Sequence, residues 1–203
     1  MKTIEEIANI LSVGIDKNNS SFLLVTGGNS PLKTYNKLSK CDINWKKISI
    51  TLIDDRDVLP NSILSNEKTI KDNLLINNAS SANYISLRSN PFEILKSIKN
   101  FDVGILGFGH DGHIASIFPK HILEENYISE KAIPNILYTE PSGDPMCERI
   151  TMNMSMILSC KHILILDVPK KRKVFDEAKK NKEMPLYFVL NSSHKSISLL
   201  SCY

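Results

Sequence analysis

No CxxC pair, no long apolar run and no marked excess of either charge occurs in this chain of 203 residues. Each absence removes a class of protein. The four cysteines, Cys41, Cys147, Cys160 and Cys202, are scattered, so they read as free, mostly buried thiols of a reducing compartment. The N-terminal stretch MKTIEEIANILSVGI has two adjacent glutamates where a secretory signal needs an apolar core. Apolar runs such as Ile163–Leu166 fall far short of the ~20 residues that span a bilayer. A formal net charge of +3 favours a small anionic ligand but is too slight to argue for nucleic acid. A cytoplasmic protein with neither a membrane nor a nucleic-acid partner is expected. Repeats, long low-complexity tracts and linkers are missing too.

What is present is ordinary for a globular chain: 42% hydrophobic and 23% charged residues. The length suits one domain, residues 1–203, able to bury roughly 70% of its unfolded surface without a disulfide or a metal. Ile4, Ile7, Ala8 and Leu11 recur at helical spacing, predicting an opening amphipathic helix. Short apolar runs then follow at Phe22–Val25, Ile48–Ile53, Val103–Leu106 and Ile163–Leu166, with a last strand predicted at Ser196–Leu200. Between them, Pro31–Leu38, Ser65–Leu75, Pro91–Ile98 and Lys170–Lys179 have helical character. Continuous apolar strands alternating with helices predict an α/β fold: a doubly wound, mostly parallel sheet with helices on both faces. Ligands of such sheets bind beyond the carboxyl ends of the strands, and three post-strand segments there are chemically unusual.

The first is Gly27-Gly28-Asn29-Ser30-Pro31. Its glycines allow a sharp turn and close approach to a ligand, and Asn29 or Ser30 could cap a helix starting at Pro31. Free N–H groups at such a helix start would seat a phosphate. The second is Asp54-Asp55-Arg56-Asp57, followed by Ser65 and Asn66, which a solvated charged loop would also explain. Arg56 could hold an anion or a developing oxyanion, and a carboxylate beside it could orient a histidine or a water. The third runs GFGHDGHIASIFP from Gly107 to Pro119. Its G-x-G-x-x-G spacing invites a dinucleotide reading, but Pro119 leaves space for only a turn or two of helix. His110 and His113 could chelate a metal only with further ligands that nothing here demands. The remaining chemistry is a glycine turn holding His113 as a general base near neutrality, worth about 10²–10⁴ in rate.

Together these segments resemble the 6-phosphogluconolactonase family, which is related to the glucosamine-6-phosphate deaminases and isomerases. The family pattern is a GGSTP-like turn, a DER loop followed by SN, and G-x-G-x-D-G-H-T-A-S-x-F-P. A fourth match, Arg149-Ile150-Thr151, is similar to the family's R-V-T, and the likeness runs from about Phe22 to Lys179. The resemblance implies hydrolysis of 6-phospho-D-glucono-1,5-lactone to 6-phosphogluconate in the pentose phosphate pathway, with neither metal nor organic cofactor. It implies His113 as the base that activates water, Arg56 as the group that positions the lactone or stabilises charge on oxygen, and Asp55 as the residue that orients the site. Gly28, Asn29, Ser30, Asn66, Arg149 and Arg172 are the implied substrate and phosphate contacts. Arg172 is the choice within Lys170-Lys171-Arg172-Lys173, a cluster of cations at a helix start where the dipole disfavours them. A monomer or small homo-oligomer is expected.

Several positions depart from the pattern: Asn29-Ser30 for Ser-Thr, Asp55 for Glu, Ile114 for Thr, and Pro169 for Gly. Two rival functions would use the same segments. A deaminase or isomerase of the related group is expected to carry D-E-Y and G-H-I-A-F-N-E-P, where this chain has Arg56 and Ser116-Ile117-Phe118-Pro119. A non-catalytic sugar-phosphate-binding module would have the cleft without the turnover.

Overall fold

The computed structural model describes residues 2–97, 99, 101–194 and 196–201. Helix α1 (Ile4–Asn18) starts where Thr3 and Glu6 form a reciprocal capping box and stops at Asn19, which is left-handed at φ 60°. Its buried residues Ile7, Leu11, Gly14 and Ile15 lie on one stripe. At Gly14 a Cβ would stand 2.7 Å from Ser21 Oγ and 3.0 Å from Asp102 Oδ2, so glycine lets α1 lie close against the sheet.

The central sheet is formed by β1 (Ser21–Val25), β2 (Ile48–Leu52), β4 (Asn83–Tyr84), β5 (Phe101–Leu106), β8 (His162–Asp167) and β9 (Ile197–Ser201). All neighbours pair in parallel, in the order β4-β2-β1-β5-β8-β9. Every residue of β1 and β5 is buried, the signature of a sheet covered on both faces. Chain direction across the sheet reverses between β1 and β5, which makes the ends of these two strands the ligand-binding crevice. The doubly wound parallel architecture is therefore the observed one. Helices α2 (Leu32–Leu38), α3 (Asn66–Asn73), α4 (Pro91–Lys96), α7 (Arg172–Ala178) and α8 (Pro185–Leu190) begin or end within a few residues of where periodicity puts them, or add to them. Ile98, the predicted end of α4, lies outside the described residues.

A second sheet was not foreseen. Strands β3 (Asp54–Arg56), β7 (Cys147–Met152) and β6 (Ile136–Ser142) pair antiparallel in the order β3-β7-β6. Ile53 is the transfer point, because its N–H still donates to Val25 O of the main sheet while its carbonyl accepts from Met152 N. The charged segment expected as a loop is thus a strand, and Asp54, Asp55 and Arg56 alternate in direction along it. Short helices α5 (Glu125–Ile128) and α6 (Met154–Ile157) flank this sheet. Among the described residues, no helix is long and apolar enough to cross a membrane.

Candidate active site

A cleft of about 280 Å³ opens at the ends of β1 and β5. The glycine turn supplies Gly28, Asn29 and Ser30, β3 supplies Asp54 and Arg56, and Asn66, His113 and Arg149 complete the part foreseen from sequence. Phe108, Ala115 and Lys171 also line it.

Local backbone requirements explain the glycines better than any nucleotide motif does. Gly28 adopts φ 79° with open space around it, so it is there to turn the chain. At Gly27 a Cβ would fall 2.0 Å from Asn66 Cγ, so this glycine lets Asn66 reach the cleft, where its Nδ2 donates to Asp54 O at 3.1 Å. At Gly109 a Cβ would sit 2.1 Å from His113 Cε1 and 2.7 Å from Asp111 Oδ1. This glycine makes room for the imidazole and its partner.

That partner is Asp111. Its Oδ1 lies 2.6 Å from His113 Nδ1 and also accepts the His113 N–H at 3.1 Å. A carboxylate only accepts, so Nδ1 carries a proton, and in the neutral form of the ring the lone pair is on Nε2. Burial raises the Asp111 carboxyl, but the hydrogen bond and charge of His113 outweigh it and hold the group below its ordinary value. The expected orienting residue, Asp55, is elsewhere. It accepts from Asn66 N at 2.6 Å, Arg56 N at 2.8 Å, Ser65 Oγ at 3.0 Å and Glu67 N at 3.2 Å. Asp55 therefore fixes the entry to α3, and it does not line the cleft. Alternation along β3 explains this: Asp54 and Arg56 face the cleft, so Asp55 must face away. Burial outweighs its four hydrogen bonds and raises its carboxyl.

Asp54 is 5% exposed and accepts from Ser116 Oγ at 2.7 Å. Ser116 reaches it from a tight turn in which Ile114 and Ile117 exchange backbone hydrogen bonds and Ala115 takes φ 48°. No helix follows Gly112; turns and isolated bridges occupy 107–118, so even the short helix allowed from the sequence is absent.

Arg56 pairs in register with Arg149 across β3 and β7. Arg149 is 4% exposed, donates from Nε to Ser142 O at 2.8 Å and from Nη2 to Pro145 O at 2.9 Å, and lies over the Phe118 ring. Burial lowers its guanidinium, with Asp54 opposing that effect. Arg56 donates from Nη1 to Leu64 O at 2.6 Å, while its buried Nε has no hydrogen-bond partner among the described residues. Neither arginine has a carboxylate within salt-bridge distance among the described residues, although other arginines do.

In the basic cluster the structure puts Lys171, not Arg172, at the cleft. Lys171 Nζ donates to Phe108 O and lies over the Phe108 ring, and burial lowers its ammonium against the pull of Asp111. Arg172 is half exposed and paired with Asp167 at 2.8 Å. The 3-10 turn Pro169–Lys171 causes the shift, since the helix starts only at Arg172. Likewise neither Asn29 nor Ser30 caps α2, which begins at Leu32 behind Pro31 without a side-chain cap. Asp111 and Lys171 are the residues missed from sequence. A carboxylate two positions before a histidine in a glycine turn was the available signal for Asp111. Among the described residues, no group of three or more His, Cys, Asp or Glu side chains is arranged to hold a metal ion.

Comparison with known proteins places the chain in a family. A family model described as glucosamine-6-phosphate isomerases/6-phosphogluconolactonase matches residues 1–198. The 6-phosphogluconolactonase of Neisseria meningitidis serogroup A is 34% identical over 202 residues, spanning 92% of this chain and 87% of that one. Among solved structures, a 6-phosphogluconolactonase from Shewanella baltica is similar with a TM-score of 0.83 at 29% identity, covering 98% of this chain and 90% of its own. The 6-phosphogluconolactonase from Thermotoga maritima gives a TM-score of 0.77 at 27% identity, covering 98% and 93%.

Proposed function

The chain belongs to the glucosamine-6-phosphate isomerase/6-phosphogluconolactonase family, and from that premise we propose that it hydrolyses 6-phospho-D-glucono-1,5-lactone to 6-phosphogluconate in the pentose phosphate pathway. The observation that carries this reading is the presence, in one cleft, of an imidazole oriented by a carboxylate and two neighbouring guanidiniums without carboxylate partners among the described residues.

The reaction needs a base for water, a place for negative charge and a proton for the leaving oxygen. His113 Nε2 takes a proton from water as the oxygen bonds to the lactone carbonyl carbon. Asp111 holds the ring in the required tautomer and stabilises the imidazolium that forms. The tetrahedral oxyanion collapses with cleavage of the bond to the ring oxygen, which recovers the proton from His113 as a hydroxyl. The resulting carboxylic acid loses its proton to solvent. Arg56 and Arg149 receive the negative charge of the substrate, both that of the phosphate and that developing on oxygen. Lys171 and the Gly28–Ser30 turn complete the anion site, and Asn66 and Asp54 are the polar wall available to sugar hydroxyls.

The test is lactone opening measured above its spontaneous rate, in wild type and His113→Ala. Equal acceleration by both would remove His113 from the mechanism. No acceleration by the wild type would favour a binding module. Ammonia release from glucosamine 6-phosphate would point instead to the deaminase side of the family.

A further inference from the structure

We propose that His121, which lies outside the cleft, is a positioning residue for the chemistry within it, acting through Phe118 on both His113 and Arg149. The inference rests on the proposed use of those two groups. Phe118 is 6% exposed and wedged between them: its ring centroid is 4.7 Å from that of His113, and the Arg149 guanidinium carbon lies 5.4 Å above it. Gly143 leaves room for this contact, since a Cβ there would stand 2.8 Å from Phe118 Cζ and 2.9 Å from Arg149 Nη2. One aromatic ring thus sets the spacing between the proposed base and a proposed anion-binding cation.

The Phe118 backbone N–H is held by a side chain: it donates to His121 Nδ1 at 3.1 Å. His121 is in turn stacked on Tyr127 of α5 at 4.3 Å and 10°, and Tyr127 OH donates to Tyr138 O of β6 at 3.1 Å. The chain of contacts runs from β6 through α5 and His121 to Phe118, and ends on the two working groups. An Nδ1 that accepts must be unprotonated, so this arrangement requires neutral His121. The titratable and charged groups around it are Lys120 beside it, Glu124 beyond the turn, Tyr127 on α5, and Tyr138 and Glu140 on β6. Burial lowers the imidazole, with Glu124 and Glu140 opposing and Lys120 assisting.

Two variants separate the acceptor from the ring. His121→Asn keeps an acceptor at the Nδ1 position and cannot titrate, whereas His121→Phe keeps an aromatic surface for Tyr127 and loses the acceptor. Imidazole NMR reports the His113 tautomer, and sulfate affinity reports the arginine pair, both without turnover. His121→Phe is expected to mix the His113 tautomers, weaken sulfate and lower kcat/KM by roughly 10²-fold, the scale of an ångström-sized misplacement. His121→Asn should retain wild-type values of the first two. A His121→Phe protein with wild-type tautomer and sulfate affinity overturns the proposal, and so does an equal loss in both variants. Should His121→Phe not fold, the wild type decides: cross-relaxation between the Phe118 and His113 rings should weaken in the step that protonates His121. Rings that stay in contact through that step overturn it. A wild type inactive on lactone would sink the proposed function while leaving these NMR and sulfate outcomes to judge this inference.

Discussion

Arg56 of β3 stands directly opposite Arg149 of β7 in an antiparallel ladder, and no carboxylate among the described residues pairs with either. Like charges directly opposite one another are destabilising in a sheet. A bound dianion reverses the sign of that interaction. Phosphate or sulfate is therefore expected to raise the melting temperature, with a free-energy gain of about 2.7 kcal/mol at a hundred times its Kd. In Arg56→Gln most of this anion-dependent gain should vanish, while stability without anion should not fall below wild type. Calorimetric melting across an anion titration checks both; an undiminished anion effect in the variant would place the anion elsewhere.

Asp111 and His113 form the second relationship with a direct consequence. Asp111→Asn replaces an acceptor with a group whose amide can donate to Nδ1, which moves the ring proton to Nε2 and removes the base. Activity should fall by as much as about 10²–10⁴-fold, the share attributable to a positioned base. Both side chains are partly exposed, Asp111 at 47% and His113 at 32%, so the melting temperature should change little. Steady-state kinetics with a parallel thermal melt would separate these effects. An active Asp111→Asn would show that the proton on Nδ1 is not what matters.

Gly109→Ala offers the same test from the backbone side. Its Cβ would collide with the His113 ring and Asp111 Oδ1. His113 is not buried and can swing aside, so the fold should survive while activity drops to that of His113→Ala. Retention of wild-type rates would mean that the ring is productive in another position.

How far the sequence reveals this site depends on which residues are local. Strands β1, β2, β5 and β8 and the crevice at β1 and β5 follow from apolar runs and their turn residues, because β1 and β5 are buried along their whole length and β2 and β8 at all but one position. The β3 strand does not, since three charged residues look like solvated loop until Arg149–Thr151, nearly a hundred residues away, supplies their hydrogen-bonding partners. That pairing decides which of Asp54 and Asp55 faces the cleft, a question of alternation that needs the strand to be known first. Asp111 was close in sequence yet hidden by competing metal and nucleotide readings of the same glycine turn. Lys171 was hidden by a two-residue ambiguity in where α7 begins, expected at Lys170 and observed at Arg172.

The Lys171 and Arg172 pair makes that ambiguity measurable. Lys171→Ala removes a half-buried cation from the cleft and should raise KM for the phosphorylated substrate several-fold, with kcat changed less. Arg172→Ala removes a half-exposed cation from the buried Asp167 carboxylate, away from the cleft, and should leave KM unaltered. Reversed results would return the anion contact to Arg172.

The buried histidine His121 predicts the acid limb of stability. Its folded-state pKa is lowered from 6.5, chiefly by burial, so the unfolded chain binds the proton first as pH falls. Stability from this group is complete above about pH 6.5 and declines below it, until the folded-state pKa is passed and both states are protonated. His162, also lowered chiefly by burial, contributes a slope of the same sign. His121→Asn should therefore show a shallower loss of melting temperature between neutral pH and pH 5 than the wild type, with the residual slope left by His162. Parallel curves for the two proteins would mean that His121 is protonated in the folded state without penalty, which its acceptor role toward Phe118 does not allow.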